Sequence, residues 1–381
     1  MKLEIIATAA FGLEAVVKRE VQALGYKILQ SEDGKITFLG DERSVVRANL
    51  WLRTADRVQI KMGEFLALEF EDLFQQVKAI HWEEWIPVDG NFVINGSSVK
   101  SKLSSVPACQ SVAEKAVVER LRETYGPIHF SKEGANFDIK ITLLKNRVTV
   151  TLDTTGEGLH KRGYRQHSVE APIRETLASA MIQLSFWNKD RILIDPCCGS
   201  GTIPIEAAMI GRNIAPGLGR SFAAEEWDAI PKKIWKEERL SAYKAIDNDC
   251  ELKIFGSDIN PKAVEAAREN AEDAGVDDCI NFRIADVSEI SADGKRGVII
   301  TNPPYGERIG DRQGIDKIYK TYNSFFSSNP TWSLFVVTAD KTIEKKAMGR
   351  SADRRRKMYN GRLEVCYYQF HGVKPNENNN R

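Results

Sequence analysis

The 381-residue sequence has few cysteines, and they are not spaced for a structural role. None of the six forms a C-x-x-C motif, and the one adjacent pair is Cys197 and Cys198. This pattern fits neither a disulfide framework nor a zinc site. His81, His129 and His167 also lack the spacing of metal ligands. We therefore expect no bound metal and a reducing, cytoplasmic location.

Long hydrophobic runs are also missing. No apolar stretch reaches the roughly 18 residues that a membrane-spanning helix requires. The short apolar run near the N-terminus is interrupted by Glu4 and continues into an amphipathic helix pattern, unlike a signal peptide. The sequence therefore predicts a soluble protein that does not bind membranes.

An excess of one charge is absent, because 54 Lys and Arg stand against 53 Asp and Glu, a net charge of +1. A polyanionic partner would therefore have to bind local basic patches, since no overall field attracts it. The apolar fraction of 42% is typical of folded globular proteins and disfavours a disordered or fibrous chain. The length predicts two to three domains.

The first 155 residues carry two successive α+β patterns. Between Leu3 and Met62 the order strand, helix, hairpin, helix, strand is typical of small β-α-β-β-α-β modules. A second set of strands and helices follows between Asp72 and Val150. We expect two small α+β modules ahead of the remaining chain.

From Ile173 onward, β-rich apolar runs alternate with helical patterns. This alternation predicts an α/β fold, a mostly parallel sheet with helices on both faces. The dipeptide Asn360-Gly361 between two strand-like runs is a strong hairpin signal, so we expect the sheet to end in an antiparallel pair. Residues 211–251 interrupt the alternation and predict an insertion over the carboxyl edge of the sheet.

A glycine-rich turn at 195–202 lies between a predicted strand and a predicted helix, the context in which such a turn is informative. Pro204 stands where a dinucleotide fingerprint needs its third glycine, which disfavours NAD. Asp258 and Asp286 end the next two strands, where carboxylates can accept hydrogen bonds from ribose hydroxyls and adenine. The pattern predicts an S-adenosylmethionine site formed by Asp195, Gly199, Gly201, Thr202, Asp258 and Asp286.

The segment Asn302-Pro303-Pro304-Tyr305 directly follows another strand-like run. Two consecutive prolines predict a stiff, extended loop. An exocyclic base amine is a weak nucleophile because its lone pair is conjugated into the ring. Hydrogen bonds from its two N–H groups to the Asn302 side chain and the Pro303 carbonyl would let the nitrogen pyramidalise. We predict that Tyr305 stacks on the extruded base.

Together these motifs resemble class I, Rossmann-like methyltransferases that act on amino groups of nucleic acid bases. Segments 158–165, 195–202, 212–218 and 301–308 are similar to those of THUMP-containing, RlmL-type methyltransferases of guanine N2 in large-subunit ribosomal RNA. The resemblance implies a ferredoxin-like module at 1–65, a THUMP RNA-binding domain at 66–155, a linker and helix at 156–190, a Rossmann-like methyltransferase domain at 191–373 and a polar tail at 374–381. Since the sequence stops at Arg381, we expect no fused second methyltransferase module.

Two basic segments are candidates for RNA contact. Segment 160–165 interleaves cations with an aromatic residue, and segment 341–357 holds eight Lys and Arg against two acidic residues. A solvated linker and an exposed charged face are the alternatives. We predict RNA contacts at Lys161, Arg162, Tyr164, Arg165, Arg354, Arg355 and Arg356.

The combined expectation is an S-adenosylmethionine-dependent RNA methyltransferase. Its predicted acceptor is the exocyclic N2 amine of a guanine in 23S (large-subunit) ribosomal RNA. The alternatives are a transfer-RNA guanine-N2 methyltransferase, an adenine-N6 DNA methylase and a non-catalytic RNA-binding protein. Cys197 and Cys198 are predicted to pack beside the glycine turn and not to act as nucleophiles.

Overall fold

Two units, each built on a seven-stranded sheet, make up the computed structural model of the chain. The structure describes residues 1–126, 133–166, 172–292, 296–304, 312–361 and 363–374. The first unit comprises Met1–Ala9, Val17–Leu159 and Arg220–Ser241, and the second comprises Ala10–Val16, His160–Gly219 and Ala242–Arg381. Among the helices in these ranges, none is long and apolar enough to cross a membrane.

The sheet of the first unit has the strand order β2-β3-β1-β4-β7-β6-β5, and its described pairs are antiparallel except β5 with β6. The elements of this part of the chain are β1 (Leu3–Ala9), α1 (Glu14–Ala23), β2 (Lys27–Glu32), β3 (Lys35–Gly40), α2 (Glu42–Trp51), β4 (Ala55–Leu66), α3 (Phe70–Lys78), β5 (Asn91–Val99), α4 (Val106–Tyr125), β6 (Asn136–Leu144) and β7 (Arg147–Asp153).

Strand β4 joins the two leading modules into one sheet. It is 12 residues long and pairs with β1 on one side and β7 on the other, so that Ile60 lies between Ile5 and Leu152. All three side chains are at most 1% exposed. Residues paired across neighbouring strands point to the same face of a sheet, so these three side chains fill one shared core. The predicted boundary between residues 65 and 66 falls inside this strand.

The remaining elements are α5 (Glu175–Leu184), β8 (Ile192–Asp195), α6 (Thr202–Gly211), α7 (Lys232–Lys244), β9 (Ile254–Asp258), α8 (Pro261–Asp273), β10 (Ile280–Ile284), β11 (Gly297–Thr301), α9 (Arg312–Ser328), β12 (Ser333–Thr338), β13 (Arg354–Asn360) and β14 (Leu363–Phe370). The second sheet has the order β10-β9-β8-β11-β12-β14-β13. Strands β8 to β12 are parallel to their neighbours in that group, and β14 is antiparallel to both β12 and β13. The predicted α/β fold with an antiparallel terminal hairpin is confirmed.

The expected insertion at 211–251 is not wholly part of the second unit. Its position over the carboxyl edge of the second sheet stays a prediction. Residues 220–241 belong to the first unit, where Trp227 and Trp235 are 1% and 4% exposed. Trp227 stacks on Phe137 with ring centroids 4.9 Å apart. Large aromatic side chains bury about 150–250 Å² each, and removing this area from water stabilises the packing of segment 220–241 on the first unit.

The chain changes direction across the second sheet next to β8, because β9 lies on one side of that strand and β11 on the other. Neighbouring parallel strands end at the same edge, about 4.8 Å apart. Asp195 ends β8 and Asn302 directly follows β11, so both residues lie at this carboxyl edge. Ligands of open α/β sheets bind at such a topological switch point.

Two predicted RNA contacts are wrong, because Arg162 and Tyr164 are only 3% and 5% exposed. The Arg162 Nε–H and the Tyr164 hydroxyl each donate a hydrogen bond to Glu206 Oε1 at 3.2 Å. The Ser179 hydroxyl donates to the other carboxylate oxygen. Since Glu206 lies on α6, this network anchors the helix that follows the glycine turn.

Arg165 has a similar structural task. Its guanidinium pairs with Glu175 at 3.3 Å, and its Nη2 donates a hydrogen bond to the Thr202 hydroxyl at 2.7 Å. Thr202 is the first residue of α6, so Arg165 holds the start of that helix. We therefore revise its predicted role from RNA contact to support of the helix. Lys161, the remaining predicted contact in this segment, is exposed.

We predict that Arg162→Met lowers the free energy of unfolding by about 3–5 kcal/mol, because it leaves the Glu206 carboxylate buried without its cation. Urea unfolding followed by tryptophan fluorescence measures the change. An exposed lysine on α9 supplies a control, since Lys320→Met should shift the free energy by less than about 0.5 kcal/mol. The double variant Arg162→Met, Glu206→Leu should recover most of the loss. If Arg162→Met alone is as stable as wild type, the buried Glu206 carboxylate does not need the Arg162 cation for stability.

Candidate active site

The glycine turn between β8 and α6 has a backbone that disfavours side chains at two positions. Gly199 and Gly201 have φ angles of 52° and 84°, in the left-handed region that favours glycine. A Cβ atom on Gly201 would also lie 3.0 Å from side-chain atoms of Ala267 and Phe282. The sequence pattern therefore reflects a real constraint on the backbone of this turn.

Asp258 lies beside the turn at the end of β9. Its carboxylate accepts the Gly199 N–H at 3.0 Å through Oδ2 and the Asn260 N–H at 2.9 Å through Oδ1. A carboxylate offers about four lone-pair positions, and this one is partly exposed, so it can accept further hydrogen bonds from a ligand.

Ile259, which sequence reasoning did not single out, adds an apolar surface next to that carboxylate. Its side chain is 69% exposed, the largest exposure among the large hydrophobic residues that the structure describes. A large aliphatic residue directly after a strand-ending acid is the signal that could have identified it. The pair offers a charged acceptor for a diol and an apolar face for a ring.

Asp286 lies two residues after β10 at the same edge. Its Oδ2 accepts the Lys317 Nζ at 2.7 Å and its Oδ1 accepts the Ser288 N–H at 2.9 Å. The Lys317 ammonium and the Ser288 hydrogen bonds lower the pKa of Asp286 to about 2, so this carboxyl is ionised at neutral pH. Its contact with adenine stays a prediction.

Asp195 and Thr202 support the turn from beneath. Asp195 is 1% exposed and accepts the Cys197 N–H at 3.2 Å, and burial raises its pKa to about 7. The Thr202 side chain is also buried, with its hydroxyl bound to Arg165. We therefore revise their predicted role from direct donor contact to support of the turn.

Asn302 follows β11 directly and is partly exposed, whereas Pro303 is buried and Pro304 is exposed. Because β8 and β11 are adjacent and parallel, the glycine turn and Asn302 share one edge of the sheet. Tyr305 lies outside the described residues, so its stacking on a base stays a prediction.

Two buried hydroxyls lie behind this edge and were missed in the sequence. Thr301 and Tyr322 are fully buried, and their hydroxyls lie near the Asp195 carboxyl. Asp195 adds to the rise in the pKa of Tyr322 that burial causes, and the Thr301 hydroxyl opposes the rise at Asp195. The three groups thus form one polar cluster between the turn and Asn302.

The two cysteines of the turn are unsuited to nucleophilic chemistry. Burial, with the Asp195 and Asp258 carboxylates nearby, raises the pKa of Cys197 and Cys198. Both thiols are therefore protonated near neutral pH, whereas a cysteine nucleophile acts as the thiolate. Within the ranges that the structure describes, no group of three or more His, Cys, Asp or Glu could hold a metal ion.

The three predicted RNA-binding arginines of β13 lie in different surroundings. Arg355 pairs with Glu344 at 2.7 Å, and Arg356 donates to the Gly12 carbonyl at 2.8 Å. Arg354 is exposed, but it pairs with Gln369 near the start of β12, at the edge of the sheet opposite Asn302. An RNA strand that enters the carboxyl edge is therefore not expected to meet Arg354.

Comparisons with known families divide the chain in the same order. Residues 4–59 match a family model described as the RlmL ferredoxin-like domain. Residues 67–153 match the THUMP domain, and residues 162–369 match the RMKL-like methyltransferase domain.

Two curated relatives and one solved structure are similar over almost the whole chain. "Putative RNA methyltransferase YpsC" of Bacillus subtilis is 46% identical over 97% of this chain and 96% of its own length. "Ribosomal RNA large subunit methyltransferase K/L" of Psychromonas ingrahamii is 33% identical over 98% of this chain, which spans 50% of that relative's length. The structure "SMU.472, a putative methyltransferase complexed with SAH" is 42% identical, has a TM-score of 0.92 and covers 98% of this chain and 99% of its own.

We predict that Asp258→Ala weakens binding of S-adenosylmethionine tenfold to a hundredfold, because a hydrogen bond to a charged group is worth about 1.5–3 kcal/mol. Calorimetric titration measures the affinity. Asp273→Ala, at an exposed aspartate near the end of α8, is the matched control and should bind like wild type. Unchanged affinity in folded Asp258→Ala would remove this carboxylate from the donor site.

The residues at this edge fit S-adenosylmethionine, the cofactor that the SAH-bound relative indicates. The Asp258 carboxylate has acceptor positions beyond its two backbone hydrogen bonds, which suits a diol, and the exposed Ile259 side chain suits an apolar ring. The left-handed glycines let the ligand approach the backbone of the turn. With this geometry, and with family matches that run from residue 4 to residue 369, the chain belongs to the RlmL-type, THUMP-containing methyltransferases that use S-adenosylmethionine.

Proposed function

We propose that the chain is an RNA methyltransferase that transfers a methyl group to the exocyclic N2 amine of a guanine in large-subunit ribosomal RNA. The proposal rests mainly on the position of Asn302, which directly follows β11 and lies beside β8, the strand that leads into the glycine turn. The THUMP match and the names of the two curated relatives support RNA as the substrate class.

S-adenosylmethionine, when bound, supplies an electrophilic methyl group on a sulfonium. The task of the chain is to make a base amine nucleophilic. The Asn302 side-chain oxygen accepts one N–H of the amine and the Pro303 carbonyl accepts the other, so the lone pair is withdrawn from conjugation. These acceptors bind more strongly as positive charge develops on nitrogen, which favours the transition state over the ground state. As the nitrogen–methyl bond forms, the methyl–sulfur bond breaks to leave a neutral thioether, and the methylated nitrogen then releases one proton to water.

The geometry of guanine adds a requirement on the RNA. In a G·C pair the base is stacked and one N–H of the N2 amine is donated to cytosine, so the two acceptors cannot bind both N–H groups of a paired guanine. The target guanine must therefore be unpaired or extruded. The leading modules are proposed to bind the surrounding RNA while the carboxyl edge of the second sheet receives the base.

Product analysis tests the acceptor atom. Unmodified large-subunit ribosomal RNA is incubated with the full chain and methyl-labelled S-adenosylmethionine, then digested to nucleosides. Label in N2-methylguanosine is the expected result. Label in N6-methyladenosine would contradict the assignment to guanine. Label that appears only when transfer RNA is the substrate would contradict the assignment to ribosomal RNA. No transfer to either RNA would contradict catalysis and favour the non-catalytic RNA-binding alternative.

We predict that Asn302→Ala lowers the single-turnover rate about 10²–10³-fold, because loss of one preorganised group of this kind costs about 2.7–4 kcal/mol. Affinity for RNA should change much less, since the acceptor acts mainly in the transition state. Asn281→Ala, an exposed asparagine on β10, is the matched control and should react at the wild-type rate. A wild-type rate in Asn302→Ala would refute the amine-acceptor role.

A further inference from the structure

The tip of the β13–β14 hairpin projects past the carboxyl edge of the second sheet. Thr338, the last residue of β12, pairs with Cys366, whereas β14 begins at Leu363. At about 3.4 Å per residue, the tip therefore extends about 10 Å beyond β12. Three strand spacings separate β13 from β11, or about 14 Å, so the tip lies near the edge that carries Asn302.

An exposed aromatic pair lies beside this tip. The rings of Phe11 and Tyr359 meet edge to face, with centroids 6.1 Å apart and an interplanar angle of 78°. Phe11 is 51% exposed, and Tyr359 is partly exposed with its hydroxyl 3.4 Å from Glu364. Much of the Phe11 ring is therefore available to stack on another ring.

The turn that carries Phe11 depends on a glycine. Gly12 has a φ of 89°, and a Cβ atom there would lie 2.5 Å from the Lys357 carbonyl oxygen. The Gly12 carbonyl in turn accepts a hydrogen bond from Arg356 Nη1 at 2.8 Å. Close approach of this turn to β13 therefore fixes a half-exposed phenylalanine at the edge of the sheet.

Two arginines place positive charge around the aromatic pair. Arg174 is exposed, and its Nη2 lies 3.9 Å from the position of a Cβ atom on Gly361. Its backbone N–H donates to Asn360 Oδ1 at 3.3 Å. In the described ranges neither Arg174 nor Arg356 forms an ion pair with a carboxylate, whereas Lys357 is paired with Glu364 at 2.7 Å. Both guanidiniums therefore remain able to neutralise a phosphate.

We infer that Phe11, Tyr359, Arg174 and Arg356 form a stacking platform for single-stranded RNA next to the target guanine. The inference rests on the proposed function and adds the surface that holds the strand outside the acceptor site. Aromatic faces stack on any unpaired base, and arginines neutralise the phosphates that accompany it. The lateral distance of about 14 Å and the axial distance of about 10 Å combine to a separation of about 17 Å, which corresponds to about five stacked nucleotides. Arginines that have no carboxylate partner within the described ranges favour a polyanion over an apolar protein segment.

The test measures binding of a labelled single-stranded 12-nucleotide RNA and of the same sequence as a duplex, by fluorescence anisotropy with the full chain. Phe11→Ala should weaken single-strand binding fivefold to a hundredfold, and Phe11→Trp should retain wild-type binding. Arg174→Gln should weaken binding and reduce the slope of log affinity against log salt by about 0.7. Affinity for S-adenosylmethionine should not change in any of these variants.

Two matched controls lie at the opposite, amino edge of the same sheet. Phe186 is 43% exposed and packs edge to face on Phe335, with centroids 5.4 Å apart. Arg296 is exposed directly before β11. Phe186→Ala and Arg296→Gln should bind the single strand like wild type.

Equal single-strand affinity for wild type and Phe11→Ala would overturn the platform, as would an equal loss in Phe11→Ala and Phe186→Ala. A parallel loss of duplex binding would overturn the assignment to single strands. These outcomes are independent of turnover. Failure of the wild-type chain to methylate guanine N2 would contradict the proposed function. The comparison of single-strand binding by wild type, Phe11→Ala and Phe186→Ala would still decide whether the platform binds RNA.

Discussion

Parallel pairing of β8 with β11 is the constraint on which the site depends. It places the glycine turn after one strand beside Asn302 after the other, although more than 100 residues separate them in sequence. The turn itself requires left-handed glycines, and the helix that follows it is anchored by the buried Glu206 carboxylate. The position of the donor turn thus rests on hydrogen bonds and charges in the interior behind it.

Much of the second sheet could be predicted because its signals are local. A buried strand, a glycine turn and a strand-ending aspartate are each written in adjacent residues, and the Asn360-Gly361 hairpin is equally explicit. The order of strands then follows from the rules of parallel α/β folds. Asp258 and Asn302 were located in this way, and the structure brings both to one edge.

Burial and long-range packing could not be predicted in the same way. Segment 160–165 has the composition of an RNA-binding surface, yet Arg162 has its partner 44 residues away on α6, which no local pattern reveals. Trp227 packs into the core of the first unit, whereas the residues just before 220 and just after 241 belong to the second unit. Phe11 could not be identified from the sequence, because its aromatic partner Tyr359 on β13 lies nearly 350 residues later in the chain.

We propose that this edge of the second sheet methylates guanine N2 in large-subunit ribosomal RNA. Nucleoside mass spectrometry of that RNA from cells with and without the gene tests it most directly. The account predicts that one N2-methylguanosine disappears with the gene and returns with the wild-type chain but not with Asn302→Ala. An unchanged content of N2-methylguanosine in the RNA of cells without the gene would contradict it.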